Sequence, residues 1–337
     1  MAADKPLSIK DIAAISGVSI ATVSRVVNNK GGYSEETEKR VRAVMESYGY
    51  VSNMAAKTLR ESRSRTVGLI LPNVNNEFFS SLALHIETWL FEHSYSLFIC
   101  NSANNTEKEK EYFRTLVGKG VDGILCISEL NEIPEEIISH GTPIVCIDRH
   151  PKASQALPWV GNDDAAASCD ATLHLVQKGC KHILFISSYL SGYEARDRQH
   201  GYERALTRSG LFVDKNYILH RPGNDPTPIE VEVMVHDFLK TGLPLDGIVT
   251  ASEPAALGAL YALRRAGLSV PEDVKIIGFD NTLYSLLMSP ALSSIERNPE
   301  QIALKSCELL LQLIDGNTPA ETQITVPTTL VERISTH

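Results

Sequence analysis

From residue 66 onward the chain alternates short apolar runs with longer stretches of helical periodicity, and this rhythm limits the folds open to it. Runs at 67–71, 96–100, 123–127 and 144–148 read as strands, separated by helical stretches at 78–92, 107–118 and 134–139. The alternation resumes with strands at 183–187, 247–251 and 274–279 and helices near 165–178, 198–208, 229–240 and 255–266. Strands followed by crossover helices pair in parallel, and such sheets are covered on both faces. The predicted class is α/β, with two doubly wound parallel-sheet lobes rather than one very wide sheet. In such sheets a ligand lies beyond the carboxyl ends of the strands. That rule selects Asn75, Phe78 and Phe79 after the first strand, Asp148 and Arg149 after the fourth, and Ser252 and Asp280 after later ones. Arg198, at the start of a predicted helix, joins them. Each has a plain structural alternative: the aspartates could cap turns, the phenylalanines could be core, and Arg198 could be a surface ion-pair partner.

The first 65 residues have a different character. They hold eleven Lys and Arg against seven Asp and Glu, a net charge of +4, while the remainder carries −13 of the overall −9. A small basic head on an acidic body is the asymmetry expected when one end meets a polyanion. Hydrophobic residues at 43% and charged residues at 22% suit a soluble chain with substantial cores. The first residues carry no apolar stretch, so neither signal peptide nor membrane anchor is expected. Six scattered cysteines without a CxxC pair read as reduced, buried thiols of a cytoplasmic protein.

Within the head, Ser8 is placed to cap a helix with Asp11 as its capping-box partner. Ile9, Ile12, Ala13 and Ser16 recur at helical spacing, and Gly17 can take the left-handed conformation that ends a helix. Ser19 can cap a second helix whose Val23, Val26 and Val27 face inward, leaving Ile20, Ala21, Ser24, Arg25 and Asn28 outward. A third helix starts at Ser34, with Val41, Val44, Met45 and Tyr48 as its inner stripe. Two short helices around a tight turn form a helix-turn-helix, whose second helix enters the major groove of DNA. An ordinary three-helix bundle has the same spacing; the basic charge favours DNA.

The run Val-Ser-Ile-Ala-Thr-Val-Ser-Arg-Val-Val-Asn-Asn at 18–29 strongly resembles the lactose-repressor (LacI/GalR) family of bacterial transcription regulators. The segments at 34–41 and 49–59 resemble the same family, and the likeness runs essentially from Ile9 to the end. It implies a helix-turn-helix head over 1–52, a hinge helix and linker over 53–65, and two lobes of periplasmic-binding-protein type. The chain is expected to cross between lobes near 161, 291 and 320, giving lobes of 66–161 plus 292–320 and 162–291 plus 321–337. Ile20 and Ala21 stand at the operator-reading positions, where they can sense only methyl groups and shape. Arg25 can fork onto a guanine. Thr22, Ser24 and Asn28 suit phosphates, and Ser8 and Ser19 present backbone amides at helix starts.

In the hinge, Asn53 can cap a helix of about two turns, too short to be stable alone in water. The resemblance implies that paired hinge helices form on DNA, with Leu59 wedged into a minor-groove base step and Lys57 and Arg60 flanking it. It also assigns Arg198 and Asp280 to the effector, with Asp148 and Ser252 facing the same cleft. Guanidinium, carboxylates and an aromatic wall suit the vicinal hydroxyls of a sugar or sugar derivative. Ser252-Glu253-Pro254 departs from the family pattern, where a polar residue is commonly followed by Asp.

An enzyme reading lacks a site: no GxSxG, HExxH, GxxxxGK[ST] or GxGxxG occurs, and the ten histidines lack metal-ligand spacing. Neither cofactor nor metal is expected. A secreted solute-binding protein would share the body but not the helix-turn-helix. The expectation is a transcriptional repressor of a carbohydrate-utilisation operon, a homodimer on a near-palindromic double-stranded operator, without a membrane partner. The resemblance implies that tetramer-forming members carry an extra leucine-repeat tail; none is seen after residue 331, so a dimer is expected over a tetramer.

Overall fold

The computed structural model describes residues 7–50, 63–188, 193–221 and 227–337. The chain divides into two compact units, Met1–Ser64 and Arg65–His337. Asn53, Lys57, Leu59 and Arg60 lie outside the described residues.

The first unit holds α1 (Ile9–Ser16), α2 (Ile20–Val27) and α3 (Glu35–Ser47). Ser8 and Asp11 close the expected capping box: the Ser8 amide donates to the Asp11 carboxylate at 2.7 Å, and the Asp11 amide donates to Ser8 Oγ at 3.4 Å. Gly17 ends α1 at φ 66°, ψ 33°, a conformation costly for any residue with a Cβ. Ser19 and Ser34 cap α2 and α3, accepting from the amides of Thr22 and Thr37 at 3.1 and 3.2 Å. Ile12, Ala13, Val23, Val26 and Val41 form the core, with Val27, Val44 and Met45 partly buried against it. Tyr48 departs from expectation: it is 58% exposed. It follows the last turn of α3 at the C-cap, where the backbone leaves helical geometry, and Tyr50 packs on the core in its place.

The second unit contains two six-stranded sheets. The first lobe has β1 (Thr66–Leu71), α4 (Glu77–Glu92), β2 (Ser96–Asn101), α5 (Thr106–Gly118), β3 (Gly123–Cys126), α6 (Glu135–Ile138), β4 (Ile144–Ile147) and β5 (Trp159–Gly161). The second has α7 (Asp164–Gln177), β6 (Ile183–Ser188), α8 (Tyr193–Arg208), β7 (Ile218–Arg221), α9 (Pro228–Lys240) and β8 (Gly247–Thr250). It continues through α10 (Glu253–Arg265), β9 (Lys275–Asp280), α11 (Leu283–Leu287) and β10 (Ser293–Glu296). The chain then forms α12 (Pro299–Ile314), β11 (Gln323–Thr325) and β12 (Thr329–Val331).

The strand orders are β11-β5-β4-β3-β1-β2 and β12-β10-β9-β8-β6-β7. Every pairing is parallel except β10 with β12. Each sheet has an apolar cluster on both faces, so β3 and β4 are buried at every residue. Cys100 is half-buried and the other five cysteines are buried, all as free thiols. Among the described residues, no helix is long and apolar enough to cross a membrane.

Pairing places the first crossing at 162–163 and moves the other two. β10 lies in the second sheet beside β9, so residues 292–296 belong to the second lobe and the crossing follows at Arg297. Its sequence, Ser-Ser-Ile-Glu, lacks an apolar run because Ser293 and Ser294 are buried through hydrogen bonds to Ser335, Thr336 and Glu253. α12 then packs on the first lobe through Ile302, Cys307 and Leu310. β11 stays in the first sheet beside β5, and the return crossing falls at 326–328 rather than near 320.

Candidate effector cleft and reading helix

The outer edge of α2 carries the candidate reading residues. Ile20 is 45% exposed, Ala21 and Arg25 are exposed, and Thr22, Ser24 and Asn28 are half-buried. Asn28 Nδ2 donates to the Ser24 carbonyl at 2.6 Å, which folds this side chain back along the helix. The Arg25 guanidinium donates to the carbonyl oxygens of Ala21 and Gly32, each at 3.4 Å. Both bonds are long, so an exposed guanidinium can exchange them for an acceptor on a base.

In the body, two of the residues chosen from strand ends, Asp148 and Asp280, meet Arg198 in one buried charged cluster. Asp148 follows β4 and Asp280 ends β9, both with left-handed backbones at φ 69° and 97°. Non-glycine residues held in that region are strained and concentrate at functional sites. Arg198, in α8, donates from Nε to Asp164 Oδ2 at 3.0 Å and from Nη1 to the Ala251 carbonyl at 2.5 Å. Its guanidinium carbon lies 4.0 Å from the centroid of the Phe279 ring.

Arg297, Asn162 and Asp164 complete the cluster and were not selected from the sequence. The Arg297 guanidinium bonds Asp148, reaches Asp280 Oδ1 at 3.4 Å and stands 4.1 Å from the centroid of the Phe78 ring. Its Nε donates to Asn162 Oδ1 at 3.0 Å and is 3.9 Å from Asp164 Oδ1. Burial pulls the pKa of this guanidinium down to about 9, which still leaves it charged at neutral pH. The signal that could have found it is a lone Arg directly after a strand, in Ile-Glu-Arg-Asn-Pro at 295–299.

The remaining candidates fall elsewhere. Phe79 is buried in the first-lobe core, edge-on to Phe78 at 5.7 Å. Asn75 is exposed in the loop before α4. Arg149 pairs with Glu129. Ser252, half-buried at the start of α10, makes no side-chain cap. Its neighbour Glu253 is buried and accepts from the Thr282 amide at 3.0 Å and from Ser294 Oγ at 2.9 Å. The unusual glutamate thus braces the loop after β9, and burial raises its pKa against those bonds.

A cavity of about 470 Å³ opens beside the cluster. Phe78, Ser81 and His85 of α4 line it from the first lobe, Asp280 and Thr282 from the second, and Asn298 from the crossing. The Leu283 amide donates across the lobes to Glu77 Oε1 at 3.0 Å. The expected aromatic wall is changed in kind: Arg297 covers a face of Phe78, and Arg198 covers a face of Phe279. A ligand would therefore meet charged hydrogen-bonding groups, which are stronger partners than neutral ones.

Two family models match the chain: "Bacterial regulatory proteins, lacI family" over residues 8–53, and "Periplasmic binding protein-like domain" over 172–336. Catabolite control protein A of Priestia megaterium is 33% identical over 333 residues, covering 98% of this chain and 99% of that protein. The sucrose operon repressor of Pediococcus pentosaceus is 32% identical over 326 residues, covering 96% and 98%. The structure of the lac repressor dimer bound to operator and the anti-inducer ONPF matches the fold with a TM-score of 0.85 at 24% identity, covering 98% of this chain and 99% of that one. Relatives of this identity across nearly the whole length, with both units matched, settle the assignment: the chain belongs to the lacI family of bacterial regulatory proteins.

Proposed function

We propose that this regulator represses a carbohydrate-utilisation operon in the cytoplasm, as a homodimer on a near-palindromic operator released or engaged by a sugar-like effector between its lobes. The carrying observation is the buried cluster at the strand ends, where Asp148, Arg198 and Asp280 converge on one chain with a helix-turn-helix. The sucrose operon repressor among its relatives supports a sugar. A dimer is supported by apolar side chains left in solvent: Leu84 and Phe91 on α4, Phe98 and Ile99 on the edge strand β2, and Leu286 and Leu287 on α11. Exposed apolar surface on an edge strand marks an association surface. Lobe movement would change the spacing of the two hinge segments, so effector and operator would alter each other's affinity reciprocally.

The test is an electrophoretic shift on the DNA upstream of the protein's own gene, with and without sugars, together with a thermal-shift screen of sugars, sugar acids and sugar phosphates. A bound ligand stabilises as the logarithm of its concentration over its dissociation constant, so a hit at a hundredfold excess contributes about 2.7 kcal/mol. An absent DNA shift overturns the reading. Leu59→Ala is expected to lower operator affinity while leaving the unfolding of the body unchanged; unchanged affinity would remove the wedge.

A further inference from the structure

Arg297 sits on the second crossing segment and bonds Asn162 of the first, which in turn bonds the third. Its guanidinium, with a side chain 3% exposed, lies between Asp148 of the first lobe and Asp280 of the second. Asn162, on the first crossing, accepts from Arg297 Nε at 3.0 Å. The Asn162 amide group donates to the carbonyl oxygens of Arg297 at 3.2 Å and of Val326, on the third crossing, at 2.8 Å. A buried charge is costly unless paired and hydrogen-bonded. Here the pairing is made across the gap between the lobes, on two carboxylates that the proposed function gives to the effector.

We propose that Arg297 is an internal ligand of the cleft, which holds the lobes together through Asp148 and Asp280 until an effector replaces it on at least one of these carboxylates. The part concerning the effector rests on the proposed function; the latch itself does not. The geometry also restricts the effector's chemistry. A group that takes a guanidinium's place on a carboxylate must donate hydrogen bonds, as hydroxyls and amines do. Among the described residues of the cluster, Asp148, Asp164 and Asp280 outnumber Arg198 and Arg297, a balance that favours a polyol over a bare anion. Asp148 Oδ2 is buried with no hydrogen-bond partner among the described residues, leaving an acceptor for such a donor.

The test uses the full-length protein without DNA or sugar. Hydrogen exchange at the Leu283 amide, which donates to Glu77 across the lobes, reports closure, and small-angle scattering reports the radius of gyration. Arg297→Gln is expected to speed that exchange about tenfold or more and to enlarge the radius, because one partner of a buried pair is lost. In Arg297→Ala, low-millimolar methylguanidinium should restore slow exchange by refilling the vacated position. Arg114→Gln, which removes an exposed charge paired with Glu136, should change neither readout. If Arg297→Gln impairs folding, Asp148→Asn weakens the same bridge from its other end and should open the lobes likewise. The latch is overturned if Leu283 is unprotected in the wild type, or if the folded variants close as the wild type does. A protein that binds no sugar can still pass this test, and one that binds sugar can fail it.

Discussion

The reading edge of the head and the cleft of the body are built from opposite materials. Ile20 and Ala21 are apolar and exposed, and the bonds shaping α1 and α2 join residues no more than seven apart. The cleft is charged and buried, and its central bond, Arg297 to Asp148, joins residues 149 apart. A surface formed by one helix can exchange contacts without disturbing a core. A buried network couples each of its members to the fold, so a change in ligation is also a change in lobe packing. On the proposed function, recognition would fall where substitution is cheap, and switching where it is costly.

Arg198→Ala is expected to have the largest effect. Arg198 Nη2 lies 2.9 Å from Asp164 Oδ2, with side chains 8% and 7% exposed. Removing one partner of such a pair costs about 3–5 kcal/mol. Urea unfolding should show that loss in the body, and the thermal shift from a sugar should disappear with it. Operator binding by the protein that remains folded should persist. A body of unchanged stability would show that the cleft and the head differ less than their burial implies.

Arg25→Ala comes next and probes the other side of the comparison. Its carbonyl contacts are long and solvent-exposed, so the head should keep its stability. If Arg25 reads a guanine, operator affinity should fall by about 1–3 kcal/mol, and discrimination at that base should relax. A uniform weakening across DNA sequences, with a smaller salt slope, would move Arg25 to the phosphate-gripping residues.

This contrast also explains what the sequence made legible. Caps, the Gly17 turn and the strand–helix rhythm depend on neighbours a few residues away, and the structure bears them out. Asp148 and Asp280 were selected because parallel strands deliver their carboxyl ends to a common edge. Arg297 and Asn162 escaped because crossing segments have no periodicity, and their partners are set by how two sheets meet. Phe79 was chosen for its position at a helix start, but the face of α4 it occupies turns into the core. Tyr48 failed for a smaller reason: helical spacing was carried one residue past the last turn.

Ser19 carries the smallest expected effect and the sharpest separation of folding from recognition. Its hydroxyl accepts from the Thr22 amide at 3.1 Å, so Ser19→Ala should cost the head about 1 kcal/mol as a lost N-cap. Ser19→Asp should restore that stability, since aspartate caps as well and favours the positive end of α2. The same carboxylate would stand where a DNA phosphate is proposed to approach. The two variants should then diverge: alanine slightly weakens both stability and binding, while aspartate keeps stability and loses operator affinity. Thermal unfolding and a fluorescence-anisotropy titration on the same samples would resolve them. Equal operator affinity for the aspartate variant and the wild type would mean that the start of α2 does not face the DNA backbone, and Ser19 would remain only a cap.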